Sequence, residues 1–357
     1  RSPVAAPTGM ASTSHPLSTQ AAIRILQEGG NAMDGALAAC AVQAVVEPES
    51  TGVGGDCFCL YAPGGNARIV AFNGSGRAPK GLSSEWLLEQ GISRIERHSA
   101  HAVTIPGAVD AWVQLNRDHG SLLLERILAP AISYARDGYP ITQRVSVDFA
   151  REAGNLGAAA AAVFAPGGVP VPLGARHTQP ALANTLERIG RDGRAGFYEG
   201  PVGAEMLAVL KGMGGCHEED DFAAAIGDYV IPISTEFRGH TVWQCPPNGQ
   251  GVIALLLLNI MSGVDSYGDS PLSTMRIHHE IEAGRLAYRD RGAVLADPAF
   301  SDVPVDEMLS PAYADRLRAL ISKTSAIAPM PPSELPSHRG TVYITVVDRD
   351  RNVCSLI

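Results

Sequence analysis

The chain has 357 residues, 45% of them hydrophobic and 18% charged, and its 28 Lys and Arg against 37 Asp and Glu give a formal net charge of −9. This is the composition of a globular chain with room for one large domain or two ordinary ones. The negative balance and the lack of any basic cluster exclude a phosphate-neutralising surface, so no nucleic acid partner is expected.

The longest apolar run, VIALLLLNIM at 252–261, is too short to span a bilayer. No charged-then-apolar leader opens the chain. It starts at Arg1, however, and a start methionine, with or without a leader, is expected upstream. Cys40, Cys57, Cys59, Cys216, Cys245 and Cys354 show no paired spacing, which favours free buried thiols over a disulfide framework. No metal site is expected among them, because Cys57 and Cys59 lack a second ligand pair.

In chain order, PLSTQAAIRILQE (16–28) reads as a helix stopped by Gly29-Gly30. Asn31 or Asp34 can cap the next helix, AMDGALAACAVQAVV, which is small and apolar on nearly every side and therefore predicted to be buried. EPESTGVGGD turns the chain into two strands, CFCLYA and RIVAFNG. VTIPGAVDAWVQLNRDHG and LLLERILAPAISYARDGYPIT predict helices closed by Gly120 and Gly138. The Ala/Gly/Pro-rich stretch 153–180 reads as an irregular surface loop. Helices follow at 181–192, 201–213 and from HEEDDFAAAIG, then a strand near TEFRGHTVWQCP, an apolar helix at 250–262 and a long helix within SPLSTMRIHHEIEAGRLAYRDRGAVLA. The last elements, 341–348 and 353–357, form a hairpin around RDRN that breaks off mid-strand, so the sequence is expected to continue. Helices in the middle and strands at both ends define an α+β or layered α/β chain.

Three motifs invite functional readings. TGVGGD has a helix before it and a strand after it, the reverse of a nucleotide-binding loop, and no Gly-Lys-Ser/Thr follows, so the nucleotide reading fails. HHEIEAGRLAYRDR lacks the second His of a zinc-protease helix, and Glu282 can pair with Arg285 or Arg289, which makes it a structural ion-pair helix. GSGRAP places Ser75 and Arg77 on a turn leaving a strand, where Arg77 suits either bidentate capture of a carboxylate or plain solvation.

Thr341 is the fourth. It follows Gly340 and a loop containing Pro331, Pro332 and Pro336, and it opens a strand in which Val342, Ile344 and Val346 alternate with polar-edged residues. Threonine is a good strand former, and most strand threonines do no chemistry. The sharper reading is autocleavage at Gly340-Thr341. The threonine hydroxyl attacks the preceding carbonyl, where glycine offers no side chain to block the geometry. Hydrolysis then frees an α-amine with a pKa of about 8, able to serve as base for its own hydroxyl.

On GGNAMDGALAACAVQAVVEPESTGVGGDCF, VTIPGAVDAW, LAPAISYARDGYP, FYEGPVGAEM, PPNGQG, EAGRLAYRDR…LADPAF and TVYITVVDRDRN, the chain resembles the γ-glutamyltransferase (γ-glutamyltranspeptidase) family of N-terminal nucleophile hydrolases. The resemblance covers nearly the whole chain. It implies an αββα sandwich, a precursor that cuts itself before Thr341, and two subunits folded together. Residues 1–340 would be the large-subunit region and 341–357 the first strands of the small one. It also implies an acyl-Thr341 intermediate on a small-molecule γ-glutamyl or related amide such as glutathione, resolved by water or an amino acid or peptide. The only protein partner implied is its own small subunit, and no cofactor and no metal are implied.

Two departures qualify the resemblance. The family's carboxylate-gripping arginine stands three residues before the Ala-Pro that follows the early strand. Here that position is Ser75, with Arg77 immediately before Ala78-Pro79. The family's oxyanion donors, without which acyl transfer is badly handicapped, correspond to positions beyond Ile357. A glutaryl- or cephalosporin-type acylase is therefore the rival within the same chemistry, and a non-catalytic binding module the rival from another class.

Overall fold

The structure, a computed structural model, describes residues 3–66, 68–264, 270–327 and 344–357. It divides into two compact units. The first comprises residues 1–68, 72–228 and 339–357, and the second 69–71 and 229–338.

The first unit is built on a sheet whose strands are β1 (Met10–Ser12), β2 (Cys57–Ala62), β3 (Val70–Gly74), β4 (Asp228–Val230), β5 (Ile344–Val347) and β6 (Val353–Leu356). Their order is β1-β5-β6-β2-β3-β4, and β3 and β4 are counted with this unit through 72–74 and 228. The hairpin β5–β6 pairs antiparallel, Ile344 opposite Leu356, and inserts between β1 and β2: Ser12 faces Thr345, and Leu356 faces Cys59. Thus the last residues of the sequence occupy the middle of the sheet. The strand period predicted for them holds, since Ile344, Val346, Cys354 and Leu356 are buried while their neighbours are half-buried.

Helix α1 (Pro16–Gln27) and helix α2 (Ala32–Val46) lie beside this sheet and pack on each other, and α2 also packs on β5 and β6. All fifteen residues of α2 are buried, as its small apolar composition predicts. Both expected caps act together. Asn31 accepts from the Asp34 N–H and the Asp34 carboxylate accepts from the Asn31 N–H, a reciprocal capping box. Asp34, fully buried, also accepts from the backbone of Ser121. It thereby joins the start of α2 to the turn between helices α3 (Ala108–His119) and α4 (Leu124–Asp137). At Gly35 a Cβ would stand 2.9 Å from Val346 Cγ1, so the helix and the central strand approach as closely as they do because this position carries no side chain.

The stretch expected to be irregular is not so throughout. Ala158–Phe164 is a helix, flanked by short 3-10 turns at Ala153–Asn155 and Pro166–Gly168. The run of alanines has the best helix propensity of any residue, and the flanking Gly and Pro only set its limits. The region near TEFRGHTVWQCP is a hairpin, Ile233–Phe237 with His240–Gln244, rather than a single strand.

In the second unit, Gly251–Ser262, Thr274–Val294 and Pro311–Arg318 surround an apolar cluster that includes Val252, Leu256, Ile260, Leu286 and Leu317. The Arg318 guanidinium donates to the carbonyls of Ile260 (2.8 Å) and Asn259 (2.9 Å), satisfying the open end of the apolar helix. Along Thr274–Val294, buried Glu282 accepts from Arg285 Nη1 at 2.6 Å, while Arg289 pairs with Asp290. The ion-pair reading of this helix holds. Five of the six cysteines are buried free thiols; Cys216 is partly exposed.

Candidate active site

Gly340 and Thr341 lie outside the described residues; Ile344, three positions after Thr341, is the first described residue that follows them and opens β5. The register of the sheet nevertheless shows which chain segments gather at the end where that strand begins. Ile344, Leu356 and Cys59 form one row, and beyond it Phe58 and Ile357 exchange two backbone hydrogen bonds of 3.1 Å each. The loop that enters β2, Thr51–Asp56, is therefore at this end, and so is the segment that leaves β3, because a Cβ on Gly74 would stand 2.8 Å from the Cys57 carbonyl.

These loops are bound to each other and to the start of α3. Asp56 Oδ1 accepts from the Gly76 N–H at 2.7 Å, the Arg77 carbonyl accepts from Ile105 N–H at 2.9 Å, and the Asn73 side chain accepts from Ser75 N–H at 3.0 Å. The Gly55 carbonyl accepts from the N–H groups of both Gly107 and Ala108, capping α3 with a backbone oxygen in place of a side chain. TGVGGD, which fails as a nucleotide loop, thus works as the seat of a helix N-terminus. Space enforces the glycines. A Cβ on Gly76 would lie 1.8 Å from the Ile105 carbonyl oxygen, and one on Gly107 2.2 Å from that of Gly74.

Both sequence-predicted recognition residues, Ser75 and Arg77, are in this assembly. The Arg77 guanidinium stands 3.8 Å from the Asp228 carboxylate, with more than half of each side chain exposed. At that distance and exposure the pair contributes little to stability. Sequence reasoning missed Asp110, a buried carboxylate on α3. It accepts from Gly227 N–H (2.8 Å) and Gln114 Nε2 (2.7 Å) and pairs with Arg194 at 3.2 Å, fastening the chain just before Asp228 to α3. Tyr198 donates to the Pro106 carbonyl at 2.7 Å and lies under the Arg194 guanidinium, and its burial pushes its phenol pKa up. No spacing in the sequence announces these long-range pairings.

The hairpin β5–β6 is held just as firmly at its other end. Asp348, buried, accepts from Ala32 N–H (2.9 Å), Asp350 N–H (2.9 Å), Asn352 N–H (2.9 Å) and Asn352 Nδ2 (2.6 Å). One carboxylate thus closes the RDRN turn and caps α2. Beside β1, a second buried polar group forms where Gln43 donates to Glu47 at 2.6 Å and Ser14 donates to Glu47 as well. His15 accepts from Leu17 N–H through Nδ1, and desolvation lowers its pKa below the usual imidazole value. Among the described residues no cluster of His, Cys, Asp or Glu could hold a metal ion, and no helix is long and apolar enough to cross a membrane.

The family model described as Gamma-glutamyltranspeptidase matches residues 18–357. The chain belongs to the gamma-glutamyltranspeptidase family. It is 37% identical over 351 residues to the glutathione hydrolase-like YwrD proenzyme of Bacillus subtilis, covering 96% of this chain and 65% of that protein. It is 32% identical to the acylase ACY 1 proenzyme of Pseudomonas sp. strain SE83, over 99% of this chain and 66% of that one. Among solved structures it superposes on the cephalosporin acylase of Bacillus halodurans with a TM-score of 0.91 and 35% identity, covering all of this chain and 66% of that one. The chain therefore spans about two thirds of the length of these relatives. Its fold class is the layered α and β class, the αββα sandwich of N-terminal nucleophile hydrolases, expected from the sequence.

Proposed function

We propose that this chain is the large-subunit region and the first small-subunit strands of a self-cleaving γ-glutamyltransferase/hydrolase-like enzyme, divided at Gly340-Thr341. The observation that carries the reading is the family match running unbroken through residue 341 into a hairpin set in the middle of the sheet. In maturation, Thr341 Oγ attacks the Gly340 carbonyl carbon, the C–N bond breaks so that the Gly340–Thr341 amide becomes an ester and the Thr341 amine is freed, and water hydrolyses that ester to give the Gly340 carboxylate and the Thr341 hydroxyl. In turnover, Thr341 Oγ attacks the substrate amide and its amine takes the proton and returns it to the departing amine. Water or an acceptor amine then releases the acyl group. Strand β5, fixed by β1 and β6 on either side and by Asp348 beyond, gives the nucleophile a rigid base. Arg77, on its loop at the same end of the sheet, is the cation for the substrate α-carboxylate.

A second reading is favoured by one observation. Ser75 occupies the position where the γ-glutamyl enzymes resembled carry arginine, and two of the similar proteins are named acylases. A glutaryl amide lacks the α-amino acid head and needs no such clamp. The test is kcat/KM of the full-length protein for a γ-glutamyl anilide and a glutaryl anilide. The γ-glutamyl reading expects the first to be the better donor. Equal or faster turnover of the glutaryl compound establishes the acylase, and absence of turnover with either, in protein shown to be cleaved, removes both.

A further inference from the structure

A cavity of about 520 Å³ opens in the first unit among residues that take no part in the site above. Pro48, Phe149, Leu156 and Phe164 give it apolar walls, and Arg97, Arg144 and Arg151 bring three guanidinia to it. The volume is that of an ordinary small-molecule site.

The charges are arranged rather than scattered. Asp148, almost fully buried, pairs with Arg144 and, at 2.8 Å, with Arg151, so one hidden carboxylate holds two guanidinia in place while most of each side chain stays exposed. Arg97 adds an exposed guanidinium and His98 an exposed imidazole, and half-buried Glu152, paired with Arg151 at 3.0 Å, is the carboxylate opposing them. Glu49 is the other lining carboxylate. Burial first, and Glu47 and Asp148 in addition, push its carboxyl up to about 7, so near neutral pH it carries only part of a charge. Its Oε2 is buried without a hydrogen-bond partner. The walls are aromatic too: the Phe149 and Phe164 rings meet edge to face at 5.4 Å between centroids.

We propose that this cavity binds a small aromatic carboxylate bearing an N–H group. Its ring packs on Phe149 and Phe164, its carboxylate meets the guanidinia of Arg97, Arg144 and Arg151, and its N–H donates to Glu49 Oε2. The apolar walls disfavour a bare inorganic anion, which leaves them wet, and the guanidinia disfavour a cationic ligand. Asp148 lowers the cost of binding by holding Arg144 and Arg151 in position beforehand. Glu49 and Ser50 lead directly into the Thr51–Asp56 loop, so an occupant would rest against the root of the active-site loop.

Calorimetric titration of the full-length protein at low salt tests this with N-acetylphenylalanine, its neutral amide and N-acetylglycine as probes. The expected result is saturable binding of the acid, at least tenfold weaker binding of the amide and of N-acetylglycine, and at least a tenfold loss for the acid in Arg97→Ala. Arg97 is exposed, so that variant is expected to fold, and an unchanged melting curve verifies it. Phe164→Ala reports on the aromatic wall and is read only if it also melts normally. Equal binding of acid and amide, undiminished binding in Arg97→Ala, or no saturable binding to folded wild-type protein each overturns the proposal.

Discussion

Asp348→Ala separates the central hairpin from the helix that supports it. The carboxylate accepts from four donors, three of them in the RDRN turn, where water can replace it at modest cost. The fourth, Ala32 N–H at 2.9 Å, belongs to a fully buried residue and has no water to turn to. Losing a charged acceptor from a buried donor costs about 1.5–3 kcal/mol, and the turn donors add a little, so the expected loss is about 2–3 kcal/mol. In local opening that is a factor of roughly 30 to 160 at 1.36 kcal/mol per tenfold. Hydrogen exchange read by mass spectrometry should show this acceleration in peptides covering 344–356 and the first turn of α2, with the second unit unaffected. Asp348→Asn keeps one acceptor oxygen and should fall between. Unchanged protection of 344–356 in Asp348→Ala would refute the idea that this carboxylate locks the hairpin to α2.

Other perturbations have equally definite expectations. Ala39→Asp places an unpaired charge in the fully buried helix α2 and should cost several kcal/mol, seen as a large fall in melting temperature. Arg77→Ala should weaken binding of a γ-glutamyl anilide by about 2–5 kcal/mol, raising KM by orders of magnitude while self-cleavage proceeds; an unchanged KM places the carboxylate clamp elsewhere. Glu49 titrates near 7 in the fold and near the ordinary carboxylate value when unfolded, so the native state holds its proton longer. That contribution to stability is complete below the unfolded value and is lost as pH rises through about 7. Glu49→Gln should therefore melt above wild type at pH 8 and close to it at pH 4, and a pH-independent difference would show that Glu49 does not titrate in this range.

The parts of this fold that were legible in the sequence are those written in local pattern. The small apolar face-less run of α2 announced a buried helix, Asn31 and Asp34 announced its cap, and alternation from Ile344 announced a strand. The Ala158–Phe164 helix is obscured in the sequence because glycine and proline stand on both sides of a short alanine run. What lay beyond reach were pairings across long stretches of chain. Nothing near Asp348 indicates that it caps a helix at Ala32, and nothing near Gly55 indicates that its carbonyl seats α3. Ser75 and Arg77 stand out in the sequence because a turn after a strand is a local signal, whereas Asp110 and Glu49 become visible only once the fold has buried their carboxylate oxygens.

The central claim, division at Gly340-Thr341 by the threonine itself, is tested most directly by the denatured mass and N-terminal sequence of freshly purified full-length protein, beside its Thr341→Ala variant. Wild type should resolve into two polypeptides, the smaller beginning Thr-Val-Tyr-Ile, and the variant should remain one inactive chain. A wild-type protein that stays whole while turning over substrate, or a Thr341→Ala protein still cut at this bond, would contradict the account.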